Sequence, residues 1–136
     1  MSGRRARVVG VLAFVAIAVG VLTLVAARNE PVALAGGVRL WRLVHMNMVG
    51  SLLTLGAGVL GVVAWRRRST GLALATGAMF SVLALATLVT LGSDANFTGG
   101  RGDTFAFYLA MALGPLAIAL TPEVREVPEI REGPEA

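Results

Sequence analysis

The sequence predicts an all-α polytopic membrane protein, a four-transmembrane-helix antiparallel bundle. Three observations carry that reading. The 136-residue chain is 56% hydrophobic and 15% charged, whereas a soluble domain is about 45–50% apolar and about 25% charged. The apolar residues gather into four runs, each close to the roughly 20 residues a helix needs to cross about 30 Å of hydrocarbon. The arginines cluster at the ends of those runs, where topology signals belong. The expected organisation is one transmembrane domain over 1–121 and a disordered acidic tail, rich in Pro and Glu, over 122–136.

The first span covers 8–27, twenty residues without a charge, after a start that carries Arg4, Arg5 and Arg7. A cleaved signal peptide is the rival reading, but its apolar region is usually about 7–15 residues. Pro31 and the Gly36-Gly37 pair make 28–37 a loop. Span two is expected over about 40–65, with Trp41 and Trp65 near its ends, and Arg66-Arg67-Arg68 stops it. Ser69 can cap the next helix, and span three follows over about 71–91. Residues 92–103 form a polar, glycine-rich loop. Asn96-Phe97-Thr98 within it matches an N-glycosylation acceptor. Span four runs over about 104–120, is loosened at Gly114-Pro115, and is closed by Pro122. In the tail, Pro-Glu recurs with a six-residue period at 122, 128 and 134. Proline at that spacing blocks a continuous helix.

Arginine placement sets the expected orientation. With the N-terminus inside, Arg4, Arg5, Arg7, Arg66, Arg67, Arg68, Arg125 and Arg131 are inside. Arg28, Arg39, Arg42 and Arg101 are outside. Both termini are therefore expected in the cytoplasm of a multi-pass cell-membrane protein. Trp41, Phe105, Phe107 and Tyr108 would form an outer aromatic belt, with Trp65 at the inner interface. Small residues at i, i+4 let membrane helices approach closely. They give seams at Gly10, Ala16 and Gly20; at Gly50, Thr54, Ala57, Gly58 and Gly61; at Ala73, Gly77 and Ser81; and at Ala106, Ala110 and Gly114.

Composition also excludes chemistries. Cysteine is absent, so no disulfide, thiolate site or cysteine nucleophile exists. All twelve cations are Arg, a usage that a GC-rich prokaryotic genome favours. The net charge of +4 could suit nucleic acid, but basic residues in so apolar a chain serve topology, and no nucleic-acid partner is expected. The expected partners are the lipid bilayer and either further copies of the chain or a larger membrane complex.

Ionisable groups inside a membrane are functional candidates. His45 is the one titratable group expected within a span, and no carboxylate falls in a span centre. Read as a helix, span two puts Arg42 and His45 on one face. Asn47, Ser51 and Thr54 fall on the next. With the loop charges Asp94, Arg101 and Asp103, they make up the candidate site. Three roles are open to it: interhelical hydrogen bonds that pin the bundle, an outward-facing pocket for a small polar or anionic solute, or a ligand or proton shuttle at His45. One histidine without Cys or carboxylate neighbours cannot close a metal site within one chain, so no metal or cofactor is expected. No Ser-His-Asp set can be assembled, so no catalytic residue is assigned.

The run Asn47-Met48-Val49-Gly50-Ser51 looks like an asparagine-x-x-glycine-serine run in small dimeric fluoride channels. That resemblance implies a glycine-threonine-threonine-phenylalanine-serine break in span three, where this chain reads Gly77-Ala78-Met79-Phe80-Ser81. Small multidrug exporters are similar in size, but their mechanism implies a glutamate in span one, and 8–27 has none. The chain is assigned to neither. The function expected from sequence is a non-enzymatic accessory or structural subunit of a membrane assembly. The alternative is a small-solute or ion channel or transporter that uses the polar stripe of span two.

Overall fold

The computed structural model describes residues 1–28, 37–40 and 44–122. Four helices and a short hairpin follow in order: α1 (Gly3–Ala27), β1 (Val38–Leu40), β2 (Val44–Met46), α2 (Met48–Arg67), α3 (Thr70–Val89) and α4 (Gly102–Leu120). All four helices are long and apolar enough to cross a membrane. At 1.5 Å per residue, their 25, 20, 20 and 19 residues give lengths of about 28–38 Å.

The largest departure from expectation is the start of the second helix. It begins at Met48, not near residue 40, because β1 and β2 pair antiparallel, with Arg39 opposite His45. Two features favour the hairpin. A helix through this stretch would carry Arg39 toward hydrocarbon, where charge is costly. Asn47 is a strong helix start: its backbone is extended, and its side-chain oxygen accepts the Gly50 N–H at 2.9 Å. The polar stripe therefore does not run down one helix. His45 is on a strand, and Asn47 is the cap between strand and helix.

The helices pack antiparallel as two close pairs, α1 with α2 and α3 with α4, joined mainly through α2 and α3. Small residues make the approach possible. A methyl group on Gly58 would lie 3.1 Å from the Ile17 amide nitrogen and 3.2 Å from the Ala13 carbonyl oxygen. The expected seams on α1 and α2 are all buried, as are Ala73 and Gly77 on α3. Ser69 caps α3 by accepting the Leu72 N–H, as expected. Trp65 lies over Gly10 and meets the Phe14 ring edge-on at 5.6 Å.

The α4 seam is corrected in part: Gly114 packs closely against Leu12 of α1, as expected, but the two alanines do not. Ala106 and Ala110 are exposed, and the buried face carries Thr104, Tyr108, Met111, Ala112 and Pro115. Tyr108 is fully buried, so it is a core residue and not part of an aromatic belt. Its ring lies 6.2 Å from that of Phe80. Burying an aromatic of this size gains far more packing than burying Ala106 or Ala110, which decides the rotation of α4.

The start of α1, the α2–α3 turn and the end of α4 lie at one end of the bundle, here the terminal end. The β-hairpin and residues 90–101 lie at the other, the hairpin end. Trp41, Arg42 and the tail from 123 onward lie outside the described residues.

Candidate functional site

The candidate residues converge on the hairpin end, where the 90–101 segment folds back over the bundle. Asn47 is the centre of this arrangement. Its Oδ1 caps α2, its Nδ2 donates to the Phe97 carbonyl at 2.8 Å, and its backbone N–H donates to the Thr98 carbonyl at 3.0 Å. Gly50 lets this segment sit close, since a methyl there would fall 2.7 Å from the Thr98 carbonyl oxygen. One residue thus starts a helix and fastens a distant loop to it.

His45 performs a parallel task. Its Nδ1 lies 2.7 Å from the Gly99 carbonyl oxygen. A carbonyl can only accept, so Nδ1 carries the proton. The His45 backbone N–H donates to Thr104 Oγ1 at 3.1 Å, and the Thr104 hydroxyl donates to the His45 carbonyl. That reciprocal pair ties β2 to the first turn of α4. Gly99 itself has a φ of +63°, in the left-handed region that suits glycine.

Ser51 and Thr54 continue the contacts into the bundle. The Ser51 hydroxyl donates to Thr23 Oγ1 on α1 at 2.8 Å. Thr54 donates to its own helix at the Gly50 carbonyl, at 2.7 Å, and so can accept from the Tyr108 hydroxyl of α4 at 3.1 Å. The Met46 sulfur sits 3.5 Å from Thr54 Oγ1 and 3.6 Å from the Tyr108 hydroxyl. Among the described residues, no buried side-chain nitrogen or oxygen lacks a hydrogen-bond partner.

The charged candidates stand apart from this interior. Asp103 accepts the Thr104 N–H at 2.8 Å and lies 3.9 Å from Arg39 Nε. Arg39 is 56% exposed, so the pair contributes little to stability. Asp94 and Arg101 line an open cleft of about 500 Å³, together with Ser93, Asn96 and Gly99. Arg42 lies outside the described residues. The structure thus joins His45, Asn47, Ser51 and Thr54 into one bonded framework and places Asp94 and Arg101 on a separate rim.

Several participants were not among the site candidates read from the sequence. Thr104, Tyr108 and Thr23 are fully buried and supply the partners just described. For Thr104 and Tyr108 the signal was periodicity: Thr104, Tyr108, Met111 and Pro115 recur at i, i+4, i+7 and i+11 on α4. Asn96 and Thr98 are buried as well. Asn96 Nδ2 donates to the Gly100 carbonyl at 2.6 Å, and Thr98 Oγ1 donates to Asn96 Oδ1 at 3.1 Å. The acceptor-like tripeptide is thus a turn-forming device in this fold.

Chemically, the framework consists of hydroxyls, amides, one imidazole and backbone carbonyls. Among the described residues, no three His, Cys, Asp or Glu side chains gather as metal ligands. The arrangement can lock a hairpin and a loop onto four helix ends. No family model, curated protein or solved structure matches the chain.

Proposed function

We propose that this protein is a non-enzymatic integral membrane protein, a structural or accessory subunit of a membrane assembly. The observation that supports this reading most is the bonding at the hairpin end. His45 through Nδ1, and Asn47, Ser51 and Thr54 through their side chains, bond to the chain's own backbone and hydroxyls. Residues that guide a solute keep donors or acceptors free for it, whereas the bonds of Asn47, Ser51, Thr54 and His45 Nδ1 support a framework role. Both termini are proposed to be cytoplasmic, because Arg4, Arg5, Arg7, Arg66, Arg67 and Arg68 share the terminal end and basic residues favour that side.

The test replaces His45 and Asn47 by Leu, singly and together. It measures folded yield in detergent and solute or ion flux in liposomes. Wild-type liposomes should be no leakier than empty ones, and the variants should lose folded yield. Wild-type flux that disappears in variants of normal yield would reject the structural role.

A second reading rests on the cleft at Asp94 and Arg101, which suits a small polar or anionic solute held for transport. It predicts that Asp94→Asn with Arg101→Gln abolishes flux at unchanged yield.

A further inference from the structure

The terminal end of the bundle concentrates positive charge at the edge of its apolar surface. Arg4, Arg5 and Arg7 sit in the first turns of α1, and Arg66, Arg67 and Arg68 end α2. All but Arg5 are exposed. Antiparallel packing brings the two sets together, since Gly10 of α1 lies against Trp65 of α2. Among the described residues the carboxylates are Asp94 and Asp103, and both lie at the hairpin end.

The cluster is level with a boundary between apolar and polar surface. Val8 is 46% exposed and follows Arg7 directly, and Leu120 is 69% exposed and stands just before Thr121. One helical turn covers about 5 Å, and the headgroup layer on each side of a bilayer is about 5–7 Å deep. With Val8 and Leu120 among acyl chains, the guanidinium groups are therefore at the depth of the lipid phosphates.

Arg5 is held in place at this depth. Its guanidinium donates to the Thr121 carbonyl at 2.7 Å and to the Pro122 carbonyl at 3.1 Å. A guanidinium has five N–H donors, so others remain on a fork whose direction is already set. A preset fork loses little freedom when it binds the oxygens of a phosphate. Beside it is a groove of about 260 Å³ between the start of α1, the start of α3 and the end of α4. Arg5, Thr70 and Thr121 make its polar side, and Met1, Ile118 and Ala119 its apolar side. Thr70 stands two residues after Arg68, so the arginines of α2 flank the same groove.

We propose that this end of the protein binds an anionic phospholipid of the surrounding bilayer. The lipid phosphate meets Arg5 and the arginines around it, and the glycerol and first acyl carbons lie along Ile118 and Ala119. Three features together select that partner. Charge of one sign selects an anion. The apolar side of the groove selects an anion that carries hydrocarbon. The depth of the cluster selects one already in the bilayer, and basic pockets at the ends of membrane helices attract such headgroups. The proposal rests on the membrane-spanning reading and is independent of the subunit role.

Trp65 adjoins the cluster and supplies the readout. The chain has two Trp, so Trp41→Phe leaves Trp65 as the sole one. The full chain carrying that change is placed in vesicles of phosphatidylcholine with phosphatidylglycerol as the minor lipid. Bromine on the acyl chains of one lipid or the other quenches Trp65, and the ratio of the two quenching efficiencies gives the lipid composition beside it. Both leaflets have the same composition, so orientation does not affect the ratio. Phosphatidylglycerol is expected at about fivefold its bulk share or more, since one arginine near an anionic surface contributes about that factor. Arg66→Gln with Arg67→Gln should bring it close to the bulk share at unchanged helical content. Arg28→Gln with Arg101→Gln, both exposed at the hairpin end, should leave it as it was. Molar salt, which screens exposed charge, should lower the enrichment with every arginine in place and serves if the Arg66/Arg67 variant does not fold. Bulk composition beside Trp65 overturns the proposal. So does enrichment that survives the Arg66/Arg67 change or molar salt, or that falls equally in the hairpin-end variant. Quenching by neither lipid would reject the membrane-spanning reading and the proposal with it.

Discussion

Asn47→Ala tests how much stability one residue supplies at the hairpin end. Asn47 is 7% exposed, and among the described residues its side chain bonds to the Gly50 N–H at 2.9 Å and to the Phe97 carbonyl at 2.8 Å. Loss of a helix cap costs about 1 kcal/mol. Loss of the Phe97 bond costs about 1 kcal/mol more and leaves a carbonyl without its donor. The backbone bond to Thr98 survives, so the expected loss is about 2 kcal/mol. Asn47→Ser keeps a cap oxygen but cannot reach Phe97, and should lose about half as much. Asn47→Asp keeps the cap but turns a carboxylate toward a carbonyl. It should be at least as destabilised as Asn47→Ala near neutral pH and recover in acid, when the carboxyl can donate. Reversible unfolding in mixed detergent micelles with increasing SDS measures all three. The reasoning is refuted if Asn47→Ala stays within about 0.5 kcal/mol of wild type, the range of an inert surface change. It is also refuted if Asn47→Ser loses as much as Asn47→Ala.

Three further outcomes are expected. A double-mutant cycle with Thr54→Val and Tyr108→Phe should give a coupling of about 0.6 kcal/mol, up to about 1.7, the range of hydrogen bonds between membrane helices; zero coupling would mean the 3.1 Å contact contributes nothing. Gly58→Leu should cost about 1–3 kcal/mol by forcing α1 from α2, while Ala106→Leu on the exposed face of α4 should stay within about 0.5 kcal/mol; the same unfolding assay compares them. A reporter fused after Ala136 should prove cytoplasmic, and an extracellular signal would reverse the proposed orientation.

Three of the four helices were legible in sequence to within a few residues, because a continuous apolar run of spanning length leaves few other conformations. Helix α2 was legible only at its end, where three arginines stop it. Its start was hidden because Val38, Leu40, Val44 and Met46 supply the same hydropathy to a strand as to a helix. The signals against a helix were local. They were the Gly36-Gly37 pair, the arginines at 39 and 42, and an asparagine three residues before Gly50. The seams on α1 and α2 were legible because Gly and Ala dominate one face of each. On α4 small residues lie on more than one face, and smallness does not say which face is packed. The 0% exposure of Tyr108 follows from ring size, which the aromatic-belt expectation overrode. The candidate residues His45, Asn47, Ser51 and Thr54 are polar groups near one end, as read, but the bonds of His45 Nδ1 and of the Asn47 side-chain and backbone N–H go to carbonyls of 97–99. Backbone acceptors carry no sequence signature, so the bonding could not be read before the fold was known.

The central claim is that the polar residues at the hairpin end close the bundle against its own loop and do not wet a path through it. Site-resolved hydrogen exchange in lipid nanodiscs tests this most directly. The account predicts that the amides of His45, Asn47 and Gly50 exchange as slowly as those in the middle of α2. Exchange of these three amides at the rate of an open loop, with the middle of α2 still protected, would contradict it.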